Sequence, residues 1–266
     1  MTRTTRASAL LLIALAAPAF ADPSERSLCP ARPGLATPPC IVDSGHGLVE
    51  IGLADWTLDR QGGDRSDTIL AGDLLLRLGM SARSELQVGL TSFGAVRSRT
   101  DGAVSRAHGL GDMTLAFKHS LRNPDGGGVS VAVQPFVTLP TGGSAIGADD
   151  WGAGLILPVG APLGKGVALE LTPEIDAAVD ADGTGRHVAL SAVEGLSFSL
   201  TPSLSTSVEL QEVHDADPAG RQDHVLAGLS LAWQPSAHWQ LDLGSVAGLD
   251  RASPDIELYV GISRRF

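Results

Sequence analysis

Aromatic side chains make up 4% of this sequence and charged ones 18%, and cysteine occurs only twice in 266 residues. Two cysteines cannot build a disulfide-rich scaffold or a cysteine-only zinc site. Basic residues are scarce as well: 19 Lys and Arg stand against 30 Asp and Glu, for a formal net charge of -11. That balance excludes a nucleic-acid partner, because neutralising phosphates takes a basic surface. No run of 18 apolar residues follows the N-terminal region, so hydropathy encodes no membrane-spanning helix there. What the chain does have is 43% hydrophobic residues and 32 glycines without a three-residue period. Such a chain is too apolar for disorder and has the wrong repeat for collagen.

Arg3 and Arg6 precede an apolar run from Ala9 to Ala17, which Ala19-Phe20-Ala21 closes. The order charged, apolar, small predicts a secretory signal peptide over residues 1–21, too short to cross a bilayer. Behind it lie a periplasmic N-terminal segment, 22–45, and the body of the chain, 46–266. Exported thiols tend to pair, so Cys29 and Cys40 are expected to form a disulfide rather than remain free. Pro30, Pro33, Pro38 and Pro39 lie between them, and closing a ring of this size contributes about 3 kcal/mol in the chain-entropy model. The loop holds no histidine, which makes metal binding the poorer reading of these cysteines.

From His46 onward, segments of about 10–13 residues alternate apolar and polar positions and are separated by turn residues. They run Gly47–Thr57, Thr68–Gly79, Ser84–Phe93, Gly109–Ser120, Val129–Leu139 and Trp151–Val159, then Gly166–Asp176, His187–Leu200, Ser203–His214, His224–Gln234, His238–Leu249 and Asp255–Phe266. Alternation is the mark of a strand with unlike faces. The eighth segment is the least regular, because Glu194 falls on the face of Val188, Leu190 and Leu196. Strands of a soluble sandwich average about 5–6 residues, whereas a tilted strand crossing hydrocarbon needs about 9–11. A membrane also tolerates no unpaired backbone edge, so such strands must close into a ring. The predicted fold is therefore all-β: a closed antiparallel transmembrane β-barrel of about twelve strands.

The connections agree. Met80–Arg83, Thr201-Pro202 and Pro235–Ala237 are short, while Leu58–Asp67, Gly94–His108, Pro140–Asp150, Ala177–Arg186 and Asp215–Asp223 are long. Short periplasmic turns and longer extracellular loops are the asymmetry of outer-membrane barrels. Trp56, Trp151, Trp233 and Trp239 fall at segment ends, as an interfacial girdle requires. Trp56 alone breaks the parity, which points to a bulge near Ala54-Asp55.

The last segment ends at Phe266 with alternating apolar residues back to Ile256, Arg264 excepted. It resembles the C-terminal signal that the barrel-assembly machinery of Gram-negative bacteria recognises. Gly109–Lys118, Thr138-Leu139-Pro140-Thr141-Gly142, Leu241-Asp242-Leu243-Gly244 and the terminal Gly261–Phe266 resemble the outer-membrane family of meta-pathway phenol-degradation proteins. The likeness spans roughly 46–266 and rests on short, mostly structural motifs. It implies a barrel in the outer-membrane bilayer that passes small solutes, aromatic catabolic compounds among them, with no catalytic residues and no cofactor.

Twelve strands spaced ~4.8 Å and tilted ~40° enclose a ring about 24 Å across, with a lumen of order 10 Å once side chains are subtracted. Parity places Glu50, Asp73, Glu85, Asp112, Glu170, Glu174, Asp176, Glu209, Asp242, Asp255, Glu257 and Tyr259 inward, with Arg77, Lys118 and Arg265 as the bases. An acidic passage attracts cations and repels anions. The expected function is thus a channel for small neutral or cationic solutes, with the bases near its periplasmic end and Asp112, Asp176, Asp255 and Glu257 near its outer mouth. These acids could equally be solvated wall groups, and residues 22–45 could either hang free or plug the passage. A structural or adhesive barrel is the alternative, and a lipid hydrolase a weaker one. His119 is the best-placed histidine for hydrolysis, but its neighbour Ser120 points to the opposite face. The Asp176–Gly185 loop lacks EF-hand spacing and reads as a solvated loop rather than a Ca²⁺ site. No phosphate-cradling or dinucleotide loop is present.

Overall fold

The computed structural model describes residues 25–266, so the predicted signal peptide lies outside the described residues. Fourteen strands form one antiparallel sheet. They are β1 (Gly47–Asp59), β2 (Arg65–Ser81), β3 (Ser84–Thr100), β4 (Ala103–Gly109), β5 (Met113–Arg122), β6 (Ser130–Leu139) and β7 (Gly152–Ile156), followed by β8 (Val159–Gly164), β9 (Val167–Val179), β10 (Arg186–Thr201), β11 (Leu204–Asp215), β12 (Gln222–Ser236), β13 (Trp239–Gly248) and β14 (Ile256–Arg265). The sheet closes on itself: β1 pairs with both β2 and β14, and β10 with both β9 and β11.

Two staves of the ring are built from two strands each. β4 pairs with the outer half of β3 and β5 with its inner half. β7 and β8 are separated by Leu157-Pro158, where proline has no N–H to give the ladder. Twelve staves remain, and the ring is a closed twelve-strand barrel. The Gly94–His108 stretch, expected as a loop, instead prolongs β3 into a hairpin with β4, and β2 accompanies it as far as Arg99.

The distribution of side chains is that of a membrane barrel. The largest wholly buried side chains include Arg77, Lys118, Gln240, Glu50 and Glu85, while Leu86, Leu115, Phe117, Leu229, Leu241, Leu243 and Leu258 are exposed. In water this arrangement would be inside out. In lipid it sets an apolar band against the acyl chains and a polar face toward the lumen. Trp56 joins the outer face because the β1–β14 register shifts between Gly52 and Ala54, leaving Trp56 opposite the lipid-facing Leu258. Arg264 interrupts the terminal apolar alternation without loss of packing, since its guanidinium lies 4.7 Å from the Trp239 ring centre and 4.6 Å from that of Phe266. Glu194 sits exposed on the outer face, between its cross-strand partners Leu171 and Leu210.

Candidate functional site: the lumen and the segment that fills it

Residues 25–45 run inside the ring, at the end that carries the short turns. Proline-rich sequence cannot satisfy its backbone through a helix or a ladder, so its polar groups must find partners elsewhere. The barrel wall supplies them. Glu50 accepts from the amides of Ala31 and Arg32, at 3.0 Å each. Glu209 accepts from Leu35 and Ala36 at 2.9 and 2.8 Å, and Glu85 from Val42 at 2.7 Å. Bases meet the carbonyls: Arg77 donates to Cys29 and Cys40, Lys118 to Pro38 and Arg265 to Arg26. Gln240 donates to Arg32, and Tyr259 accepts from Gly34 at 3.0 Å. Cys29 and Cys40 are bonded to each other, with Cα atoms 6.4 Å apart. Leu28 and Val42 pack on Leu48, the one small apolar cluster of the interior among the described residues.

Beneath this segment four charges form a closed knot. Arg77 reaches Glu85 at 2.8 Å and Glu50 at 3.2 Å, Lys118 lies 3.8 Å from Glu85, and none of these side chains is exposed. Two acids and two bases cancel there, as buried charges must. Further in, the segment's own Arg32 reaches Asp242 at 3.3 Å and lies 5.4 Å from the Tyr259 ring centre. A Cβ on Gly261 would overlap that guanidinium, so only glycine lets it approach the wall. Beyond Arg32 the wall is acidic. Glu170 and Glu174 line the space beside the segment, and Asp176, Asp55 and Glu257 stand further toward the outer mouth. Two cavities remain beside the segment. One of about 290 Å³ lies against β10–β13, lined by Glu170, Ser207, Ser230 and Gln240 among others. The other, of about 230 Å³, is lined by Gln87, Thr114, Lys118, Phe136 and Glu174 among others.

The remaining candidates occupy other places. Asp73 turns inward and accepts the Thr91 hydroxyl at 2.8 Å. Asp112 accepts the amides of Gly142 and Ala148 at 2.8 and 2.7 Å, and so folds the loop after β6 over the outer mouth. Asp255 is a correction: it precedes β14 and pairs with the exposed Arg60 at 3.1 Å, on the rim rather than in the lumen. Parity counted backward through β14 put it inward, but alternation has no meaning before a strand begins. Asp55 escaped the parity reading because the bulge beside it reverses the faces. Arg32 escaped because a segment without periodicity has no face to assign.

Two clusters lie away from the lumen. His119 meets not Ser120 but Ser84 across the β3–β5 pair, Nδ1 to Oγ 2.8 Å. In the outer loops Asp180, His187 and Asp217 converge with one candidate ligand atom each within 4.8 Å. His187 already has Asp180 at 2.9 Å on one ring nitrogen and Asp215 at 2.7 Å on the other, so the group as it stands is an ion-pair cluster.

A closed ring with lipid-facing leucines, a polar interior and short turns at one end defines a multi-pass β-barrel of the outer membrane. The particular family follows from sequence: the family model described as "Putative MetA-pathway of phenol degradation" matches residues 31–266, and the chain belongs to that family. No curated protein matches it. Among solved structures it is similar to the COG4313 outer membrane channel from Pseudomonas putida F1, at 19% identity over 93% of this chain and 100% of that one, with a TM-score of 0.68. It is also similar to the KdgM porin in complex with disordered oligogalacturonate, at 8% identity over 82% and 99% and a TM-score of 0.52. The β domain of the Bordetella autotransporter Brka matches at 15% identity over 84% and 100%, with a TM-score of 0.53. At these identities the likeness is one of fold.

Proposed function

We propose that this barrel is a channel for small neutral or cationic solutes, phenol-like aromatics among them, whose lumen the N-terminal segment narrows. The observation that carries this reading is the pair of small cavities inside the closed ring, which approach the ~300 Å³ lower end of small-ligand sites. Their walls join hydroxyls and amides to a few apolar faces, a lining suited to a small polar aromatic. Charge supports the preference for cations. The knot around Arg77 is self-neutralising, whereas Glu170, Glu174 and Asp176 have no ion-pair partner among the described residues. The family's phenol-degradation description supports an aromatic solute. Residues 1–21 are then removed on export, and Phe266 with the strand before it serves as the recognition signal for the barrel-assembly machinery. An enzymatic role finds less support, because no carboxylate hydrogen-bonds the His119 ring beside Ser84 among the described residues. Planar-bilayer recording under a salt gradient tests the proposal. A reversal potential of cationic sign, together with phenol uptake into proteoliposomes, is expected; anion preference would overturn the acidic-lumen reading.

A further inference from the structure

The outer wall carries a charged feature that the lumen does not use. Direct cross-strand partners in an antiparallel pair share a face. On the outer ends of β2, β3 and β4, Arg65 lies opposite Arg99, while Arg97 lies opposite both Asp67 and Arg106. Four guanidinium groups therefore stand on one face around a single carboxylate. Arg65 holds Asp67 with two bonds of 2.7 and 2.6 Å, and Arg97 approaches it at 3.9 Å. Asp101, the acid of the β3–β4 hairpin itself, is in the turn at its tip. Like charges directly opposite each other weaken a strand pair. In a chain of net charge -11, acids to break up such a cluster are plentiful, yet arginine occupies these positions. An anion bridging the guanidinium groups would turn that repulsion into binding, because the planar fork matches phosphate oxygens in pairs.

The face on which the cluster stands identifies the anion. Below the arginines on the same face lie Ile69, which is opposite Trp56, and Phe93. Trp56 is in turn opposite the lipid-facing Leu258. Gly94, next to Phe93, turns the other way, toward Ile146 of the loop folded into the mouth, so Phe93 points out of the ring. Ile69 and Phe93 are 47% and 45% exposed, as acyl-chain contacts are. Together these side chains border an open trough of about 650 Å³ with an apolar floor and a cationic upper wall. A soluble anion would need only the upper wall. An amphiphile with a phosphate head uses both.

We propose that this trough is a binding site for a phosphorylated glycolipid of the outer leaflet. The acyl chains lie along Trp56, Ile69 and Phe93, and a phosphate is held between Arg97 and Arg106, with Arg99 and Arg65 beside it. The site is independent of what passes through the lumen, so it stands or falls separately from the channel reading.

The test uses the full exported chain in detergent micelles, titrated with bisphosphorylated lipid A and followed by native mass spectrometry. Wild-type protein is expected to retain lipid A, and R97A/R106A to bind it about ten-fold more weakly or worse. R97K/R106K is expected to fall between them, since ammonium groups lack the paired geometry. R221A, in the outer loop between β11 and β12 on the far side of the ring, should match the wild type. Heat-modified gel mobility confirms that each variant is a folded barrel. Equal binding by R97A/R106A, or equal retention of the dephosphorylated lipid, would overturn the proposal. So would competition by inorganic phosphate at the concentration at which lipid A binds, which would mark a site for free phosphate.

Discussion

Arg77 and Glu85 meet at 2.8 Å inside the barrel with neither side chain exposed, and between them they also hold the Cys29 carbonyl, the Cys40 carbonyl and the Val42 amide. The wall and the segment inside it are thus fastened by the same two side chains. Removing one partner of a buried pair leaves the other uncompensated, at a cost of about 3–5 kcal/mol. Arg77→Ala is therefore expected to lower the unfolding free energy of the micelle-bound protein by about 3–5 kcal/mol, seen as a lower urea midpoint. An unchanged midpoint would mean that water already reaches the knot.

Glu209 gives one oxygen to each of two consecutive amides, Leu35 and Ala36. Hydrogen bonds to a charged group contribute roughly 1.5–3 kcal/mol. In Glu209→Gln, hydrogen–deuterium exchange at these two amides should quicken about ten-fold or more, while exchange in β11 itself stays slow. Uniform quickening across the barrel would instead indicate general destabilisation.

The Cys29–Cys40 bond closes the segment on itself, and opening it releases loop entropy worth about 3 kcal/mol. Reductant should loosen the segment and raise single-channel conductance, and reoxidation should reverse the rise. A Cys29→Ser/Cys40→Ser variant is expected to conduct like the reduced protein in either condition.

Glu194 faces lipid between Leu171 and Leu210. Charged side chains in this setting are unfavourable by up to about 2–4 kcal/mol at mid-bilayer, with carboxylates at the lower end. Glu194→Leu is expected to stabilise the barrel in vesicles by about 1 kcal/mol or more. A destabilised variant would show that this carboxylate has a partner within the membrane.

In the loop before β14, Asp250 accepts from the amides of Ser253, Ala252 and Val225 at 2.9, 2.8 and 2.6 Å. The bond from the Ser253 amide, followed by those from Ala252 and Val225, holds its carboxyl below the usual 3.8. A depressed value means that the stabilisation is complete above the unfolded-state pKa and is lost as pH falls through the lower folded one. Proteolysis of this loop should stay slow down to the ordinary aspartate range and quicken only below it. In Asp250→Asn it should be fast already at neutral pH.

Alternation made the ring legible because each strand is long and its two faces meet different solvents. Leu74, Leu76 and Leu78 could be set opposite Asp73 and Arg77 by counting alone. Counting failed where the backbone departs from period two, as at the bulge that turns Asp55 inward and Trp56 outward, and where a strand has not begun, as at Asp255. The acids of the wall were readable as inward, but their task was not. Glu50, Glu85 and Glu209 bind the amides of a proline-rich stretch that carries no periodic signal. The clue available in sequence was the dense Pro30–Pro39 run between two cysteines, whose backbone had to be satisfied by something outside itself. The β3–β4 hairpin was missed for the opposite reason. Its outer face carries arginines where the other strands carry leucines, so Arg97, Arg99 and Arg106 leave no apolar row by which the strand could be read.

Strands β1 and β14 form the seam of the barrel, and each grips the entering segment: Glu50 holds Ala31 and Arg32, and Arg265 holds Arg26. The two staves that close the ring therefore also anchor residues 25–45 inside it. Closing the ring and seating the segment are thereby coupled, and the sealed barrel begins life with its bore already narrowed.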